Sequence, residues 1–251
     1  MKVIAKLAGG SHLYGLNTPA SDYDERYVYL LDNHADIIGL GKNEFIDHRN
    51  PDEDSFGYEL RNFLVSLKKT NTQAMEILLA PEEAFIELHP LFKEVKQQAL
   101  NLIDPVQYYK SLRGYIQAEL KLANGERTGK LGSKRKEALD KYGFSPKNFV
   151  QLIRLAYCGT IFYKEGIFPI NVVKHNKSLG VHLLEIKLYP ERFNKDSLNK
   201  EVAEADMLLE TTYKEFGAKS SYKYDEKVAN DLIMNTYYPM LGKLQAERLG
   251  L

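Results

Sequence analysis

Two short motifs near the N-terminus combine residue types that can bind a metal ion and phosphate together. Asp22 and Asp24 lie at positions i and i+2, and side chains with that spacing share one face of a strand. Two such carboxylates repel each other unless a cation lies between them, and Mg²⁺ prefers oxygen ligands that it shares with phosphates. Gly10 and Ser11 precede them; glycine permits close approach of the backbone, and a serine hydroxyl with nearby N–H groups can bind phosphate oxygens.

Each motif has an ordinary explanation when it is considered alone. The aspartates fit a polar turn before a strand, and Gly10-Ser11 fits a simple loop. Their occurrence close together is more specific than either one. The stretch lacks the Gly-Lys-Ser/Thr of a Walker loop and the three spaced glycines of a dinucleotide-binding turn. We therefore predict a site for a metal-bound nucleotide, in which two ions can hold the attacking and leaving oxygens of an in-line displacement.

A polar stripe further along the chain is a second candidate for phosphate binding. Lys147, Gln151 and Arg154 are spaced i, i+4 and i+7, so they share one side of a helix. Arginine can bind phosphate oxygens through its planar fork, whereas lysine acts as a point charge. The alternative is a solvated helix face. The opposite, apolar face carries Val150, Ile153 and Tyr157.

One segment concentrates basic residues in a chain whose charges otherwise balance. Lys+Arg and Asp+Glu both total 34 among 251 residues, so only a local surface can attract nucleic acid. The segment can follow a nucleic-acid backbone, or it can be a solvated loop, since acidic residues are interspersed. Its basic residues are Arg127, Lys130, Lys134, Arg135, Lys136 and Lys141.

Cysteine content and hydropathy indicate a reducing, aqueous environment. The single cysteine, Cys158, excludes an internal disulfide and a cysteine-based zinc cluster. No apolar run approaches the roughly 18 residues that a membrane-spanning helix needs, and the first residues do not resemble a signal peptide. We therefore expect a cytoplasmic protein that does not bind membranes.

Strands near the N-terminus must position the aspartates. Val3–Ala8 is an apolar run that ends at glycines, and Tyr23–Leu31 is rich in aromatic and β-branched residues, so both are predicted strands. Ile37–Leu40 and Glu44–His48 are weaker strand candidates. Helical spacing begins near Leu60.

Beyond about residue 87 the chain is predicted to be almost wholly helical. Asp104-Pro105 and Ser145-Pro146 are typical helix starts, and 125–143 is predicted to be a loop or a broken helix. A helix near the C-terminus contains Pro239, which can break it. These patterns predict an α+β fold with a small mixed β-sheet core over residues 1–100 and a mostly helical region over 101–251.

The motifs together resemble those of a known superfamily. Gly10-Ser11 followed by Asp22-x-Asp24 is similar to the signature of the DNA polymerase β superfamily of nucleotidyltransferases. The longer strings Gly-Ser-x-x-Tyr-Gly and Ser-Asp-x-Asp-x-Arg resemble one branch of it, which contains predicted nucleotidyltransferases associated with RNA repair. Further matches are Leu60-Arg61, Asn71, Glu76-Ile77-Leu78 and the segment Lys147 to Arg154.

The resemblance implies roles for particular residues. Asp22 and Asp24 are joined by Asp54 as the third catalytic and metal-binding carboxylate, although Asp47, Asp52 and Glu53 remain alternatives, as does a merely solvated acidic turn. Position 151 carries Gln where the family pattern has His, so the role of that His is open here. The residues implied in substrate binding are Gly10, Ser11, Tyr14, Ser21, Arg26, Lys147, Gln151 and Arg154.

The implied activity is metal-dependent transfer of a nucleoside monophosphate from a nucleoside triphosphate to a hydroxyl group, with release of pyrophosphate. Two Mg²⁺ ions are the implied cofactors, with Mn²⁺ as the alternative ion. RNA, such as a tRNA end or a repair substrate, is the first expected acceptor, followed by a protein hydroxyl and a small molecule such as an aminoglycoside. A non-catalytic nucleotide-binding or antitoxin-like protein is the alternative class, and it predicts triphosphate binding without turnover.

Overall fold

The computed structural model describes residues 1–38, 48–50, 55–126 and 133–249. Contacts group the chain into two compact units. The first comprises Met1–Leu13, Pro19–Asp104 and Tyr222–Leu251, and the second comprises Tyr14–Thr18 and Pro105–Ser221. Within the described ranges, no helix combines the length and apolarity needed to cross a membrane.

The first unit contains a five-stranded mixed sheet in the order β3-β4-β2-β1-β5. The β2–β4 pair is parallel and the other pairs are antiparallel. Ala5, Leu7, Val28 and Leu30 are fully buried, because the two strands that carry them are the middle of the sheet. The strands are β1 (Lys2–Ala8), β2 (Glu25–Leu30), β3 (His48–Asn50), β4 (Ser55–Glu59) and β5 (Phe85–Leu88).

Polar side chains begin the helices that cover this sheet. At the start of α3 the Glu59 carboxylate accepts hydrogen bonds from the backbone N–H groups of Arg61 and Asn62, and Asn71 does the same at the start of α4. The helices in this part of the chain are α1 (Gly10–Tyr14), α2 (His34–Ile38), α3 (Leu60–Lys68), α4 (Thr72–Leu79) and α5 (Pro90–Gln97).

The second unit is helical and is centred on α8, which packs against the helices before and after it in the chain. Its prolines at the first helical positions, Pro105 and Pro146, confirm the predicted helix starts. The helices are α6 (Pro105–Ala123), α7 (Ser133–Tyr142), α8 (Pro146–Glu165), α9 (Val172–His175), α10 (Lys177–Leu188) and α11 (Lys195–Thr212). A sheet core with a helical region confirms the predicted α+β class.

Three local predictions differ from the structure. The strand candidate Ile37–Leu40 overlaps α2, where Asn33 accepts a hydrogen bond from the Asp36 N–H at 2.9 Å and begins a helix; residues 39 and 40 lie outside the described residues. Glu44–His48 also lies outside them except for His48, which begins β3. Pro239 does not end the last helix, α12 (Glu226–Leu249).

Contacts group α12 with the sheet of the first unit, although the predicted boundary at residue 100 placed it in the helical region. The Tyr237 hydroxyl donates to Glu59 Oε1 at 2.6 Å and accepts from the Leu31 N–H at 3.2 Å. The Tyr237 and Glu59 side chains are both buried. This contact ties the last helix to β4 and to the end of β2.

We expect Tyr237→Phe to lower the free energy of unfolding by about 1–3 kcal/mol, because it leaves a buried carboxylate oxygen and a backbone N–H without their partner. Urea unfolding measures the change, and Tyr238→Phe is the matched control because Tyr238 is 63% exposed. Equal stability of the Tyr237→Phe variant and the wild type would show that this contact does not hold α12.

The same contact predicts a pH dependence. Burial, assisted by the charge of Glu59, raises the pKa of Tyr237 above its ordinary value. Stability from the neutral hydroxyl is therefore complete below about pH 10, where the unfolded chain begins to ionise, and is lost as the pH rises further. Unfolding measured from pH 8 upward should decline less steeply in the Phe variant.

Candidate functional site

The pairing of β1 with β2 brings the two N-terminal motifs together. Ala8 pairs with Glu25 in an antiparallel register, and one residue further the Gly9 N–H donates to the Asp24 carbonyl oxygen at 2.7 Å. The chain leaves β1 into α1 at the same edge where it enters β2. Gly10 and Ser11 therefore lie next to Asp24, as the motif spacing predicted.

The Asp24 carboxylate lies against the backbone of Gly10. A Cβ atom placed on Gly10 would be 2.6 Å from Asp24 Oδ2, and Gly10 has a φ of +54°. Both the contact and the left-handed backbone exclude a larger residue. On Gly9 a Cβ atom would meet Asp24 Cβ and Arg26 Cγ, each at 3.1 Å. Glycine at these positions thus lets an acidic side chain approach the start of α1.

The aspartates precede the strand rather than lie on it. The predicted strand began at Tyr23, whereas β2 begins at Glu25. Asp22 is exposed and Asp24 is half-buried, and only Asp24 continues the pairing with the first strand. Ser11 likewise lies in the short helix α1 instead of the expected loop.

Neighbouring side chains complete this part of the first unit. Tyr23, between the aspartates, makes an edge-to-face contact with His12, with ring centroids 5.1 Å apart. The Nε2 atom of His12 is buried and has no hydrogen-bond partner among the residues described. Arg26 is half-buried, with its guanidinium carbon 5.8 Å from the centroid of the Phe56 ring on β4. Sequence reasoning did not predict the His12–Tyr23 contact.

The donor chemistry fits a divalent ion. Asp22 and Asp24 offer hard carboxylate oxygens, and Mg²⁺ is commonly bound through one or two carboxylates together with substrate phosphates. No group of three His, Cys, Asp or Glu side chains that could hold a metal occurs in the ranges that the structure describes. The predicted third carboxylate, Asp54, and its alternatives Asp47, Asp52 and Glu53 lie outside those ranges.

The polar stripe of α8, in the second unit, differs from its prediction. Lys147 is exposed and Gln151 is half-buried, but Arg154 is fully buried. The Arg154 guanidinium carbon lies 3.5 Å from the centroid of the Tyr14 ring, and Nη2 donates to Gln151 Oε1 at 3.1 Å. The helix enters the interior of the unit after its first turn, so equal angular position does not give equal exposure. This geometry favours a cation–π contact that positions Tyr14.

Two residues that sequence reasoning missed hold the segment after Tyr14. Gly15 has a φ of +72°, and a Cβ atom placed on it would be 2.5 Å from Asn171 Oδ1. The Lys187 ammonium donates to the Leu16 carbonyl oxygen at 2.7 Å. Both partners are far away in the chain, Lys187 by 171 positions, so no local pattern could identify them.

The basic segment lies partly on a helix. Lys134 and Lys136 of α7 are exposed and Arg135 is half-buried, so the described residues favour a broken helix over a continuous loop for 125–143. Arg127 and Lys130 lie outside the described residues. The exposed lysines are able to contact a polyanion.

The fold and the paired motifs define a polymerase β-like nucleotidyltransferase, and a comparison with known families gives the same result. Residues 1–229 match the RNA repair pathway DNA polymerase beta family, RlaP, and the chain belongs to that family. No curated protein matches the chain. The family consists of polymerase β-like nucleotidyltransferases of an RNA repair pathway, and such enzymes generally use divalent metals.

Proposed function

We propose that the chain is a metal-dependent nucleotidyltransferase that transfers a nucleoside monophosphate from a nucleoside triphosphate to an RNA hydroxyl. A bond forms between the acceptor oxygen and the α-phosphorus, the bond from that phosphorus to the bridging oxygen breaks, and pyrophosphate leaves. The observation that carries the proposal is the Asp24 carboxylate lying against Gly10, beside Ser11 and Asp22. Membership of the family supports it.

Within this proposal Asp22 and Asp24 hold two divalent ions, Mg²⁺ or Mn²⁺. Such ions supply charge neutralisation on the phosphates and increase the acidity of an attacking hydroxyl. Gly10 and Ser11 bind phosphate oxygens through the backbone and the hydroxyl, and Ser21 and Arg26 supply further polar contacts from the entry to β2. The contribution of the protein is mainly positioning and electrostatic stabilisation.

The strand register favours Asp54 as the third carboxylate. Arg26 on β2 pairs with Phe56 on β4 in the parallel register. Counting back two residues from each member of this pair arrives at Asp24 on one segment and at Asp54 on the other. Asp52 and Glu53 do not share this relation to Asp24. We propose Asp54 as the residue that helps to activate the acceptor hydroxyl.

In the second unit we propose that Lys147 and Gln151 contact substrate, and that Arg154 acts through Tyr14. The exposure of Lys147 leaves its ammonium group accessible to a phosphate. Arg154 is fully buried against the Tyr14 ring, so its proposed function is to position the Tyr14–Thr18 segment.

RNA is the acceptor that we favour, and the exposed lysines of α7 support it. Replacing Lys134, Arg135 and Lys136 together by Gln should lower RNA affinity and reduce the salt slope of binding by about three, about one for each phosphate that is no longer neutralised. Filter binding across a salt series measures both. The control replaces three separate exposed lysines of the same unit, Lys110, Lys121 and Lys200, and should leave the slope unchanged.

The activity is tested with a nucleoside triphosphate labelled at the α-phosphorus, mixed with RNA, with a protein extract or with no acceptor. The proposal predicts label in RNA. Label in protein alone would show protein nucleotidylation instead, and triphosphate binding without transfer to any acceptor would favour the non-catalytic alternative. Unchanged RNA affinity of the Lys134, Arg135 and Lys136 variant would exclude α7 as the RNA-binding surface.

A further inference from the structure

Lys187 lies in an environment that fastening a loop does not explain. It is half-buried on α10, and its ammonium group donates to the Leu16 carbonyl oxygen at 2.7 Å. Arg154 packs on Tyr14 and Asn171 lies against Gly15. Side chains from three different parts of the second unit therefore hold three consecutive residues, Tyr14–Leu16.

A second cation lies close to Lys187. Helices α8 and α10 pack against each other, and Lys147 of α8 is the charged neighbour that affects Lys187. Burial, and then the positive charge of Lys147, lower the pKa of Lys187. Two ammonium groups brought together where one is half-buried raise the free energy of the folded chain, and an anion bound between them would offset this cost.

Two other lysines show what a purely structural contact looks like in this protein. Lys195 donates to the Asn124 carbonyl oxygen at 3.0 Å and is half-buried like Lys187. Lys96 donates to the Leu78 and Ala80 carbonyl oxygens, and its charged neighbour is the anion Glu82. Lys187 differs from Lys96 because the charge beside it has the same sign.

We propose that Lys187 and Lys147 together bind a phosphate group of the substrate next to the Tyr14–Leu16 segment. The ligand is a phosphate that carries at least two negative charges, supplied by the triphosphate of the nucleotide or by a terminal phosphate of the RNA. The inference rests on the proposed function and adds Lys187 to the residues that bind substrate.

Isothermal titration of the full chain with tripolyphosphate, and separately with 5′-phosphorylated and 5′-hydroxyl RNA of one sequence, tests the proposal. Lys187→Met should weaken binding of the phosphorylated probe about tenfold or more, as expected for loss of a hydrogen bond to a charged group. Lys187→Arg, which keeps the charge and a donor, should retain most of the affinity. Lys195→Met removes a comparable bond to a carbonyl and should bind as the wild type does.

The outcomes separate the two sources and the two proposals. Weaker binding of tripolyphosphate assigns the phosphate to the nucleotide, and weaker binding of 5′-phosphorylated RNA alone assigns it to the acceptor. If Lys187→Met does not fold, Lys147→Met gives the same comparison from an exposed position. Wild-type affinity of the folded variants for both probes would overturn the inference. Phosphate binding that depends on Lys187, with no nucleotidyl transfer, would contradict the proposed function alone.

Discussion

Asp24→Asn is expected to slow nucleotidyl transfer by about a thousandfold or more. The substitution keeps the size of the side chain and leaves the backbone hydrogen bond from Gly9 to Asp24 in place, but it removes a charge that ligates the metal. Metal-based charge stabilisation contributes several kcal/mol, and about 4 kcal/mol corresponds to a thousandfold change in rate. Single-turnover rates with an α-labelled nucleoside triphosphate measure the effect, and Asp22→Asn should behave similarly.

Neighbouring carboxylates provide the controls. Glu25 follows Asp24 directly and forms an ion pair with Lys6 at 2.9 Å, so Glu25→Gln should change the rate by no more than about twofold. Asp54→Asn should resemble Asp24→Asn, whereas Asp52→Asn and Glu53→Gln should resemble the control. A rate for Asp24→Asn within about tenfold of the wild type, or about 1.4 kcal/mol, would contradict the assignment of the metal ligands.

Gly10→Ala is expected to have the second-largest effect, on both stability and activity. An alanine at a φ of +54° costs about 1–2 kcal/mol. Its Cβ atom would lie 2.6 Å from Asp24 Oδ2, so the carboxylate must move. Since a displacement of about 1 Å in a catalytic group can cost about a hundredfold in rate, we expect a loss of at least that size. Chemical unfolding and the transfer assay measure the two effects.

Two other glycines separate backbone strain from the contact with Asp24. Gly143 has a φ of +76°, and a Cβ atom placed on it would meet nothing within 4 Å among the described residues, so Gly143→Ala should lose stability but keep its transfer rate. Gly114 lies in α6 with open space around it, and its Ala variant should gain about 0.5–1 kcal/mol. If Gly10→Ala lost stability but kept the wild-type rate, the contact with Asp24 would not matter for catalysis.

Local features of this chain were predictable because they depend on neighbouring residues. Apolar runs identified β1 and most of β2, and Pro105 and Pro146 identified two helix starts. The closeness of Gly10 and Asp24 followed from two adjacent strands, one ending and the other beginning at the same edge of the sheet. These are short-range consequences of strand pairing and capping.

Other features depend on packing that a linear pattern does not contain. The spacing of Lys147 and Arg154 predicted one helix face, but the depth of each side chain depends on which helices surround α8. The apolar run Ile37–Leu40 was too short to distinguish a strand from a helix. The contacts of Lys187 with Leu16 and of Tyr237 with Glu59 join residues far apart in the chain.

The most direct test of the central claim compares transfer of label from the α- and γ-positions of the same nucleoside triphosphate, with Mg²⁺ and with a chelator. We expect wild-type protein to attach α-label to RNA, to release γ-label as pyrophosphate and to require the metal, whereas Asp22→Ala combined with Asp24→Ala neither transfers nor releases label. Transfer of γ-label to the acceptor, or unchanged transfer of α-label by the double variant, would contradict the claim.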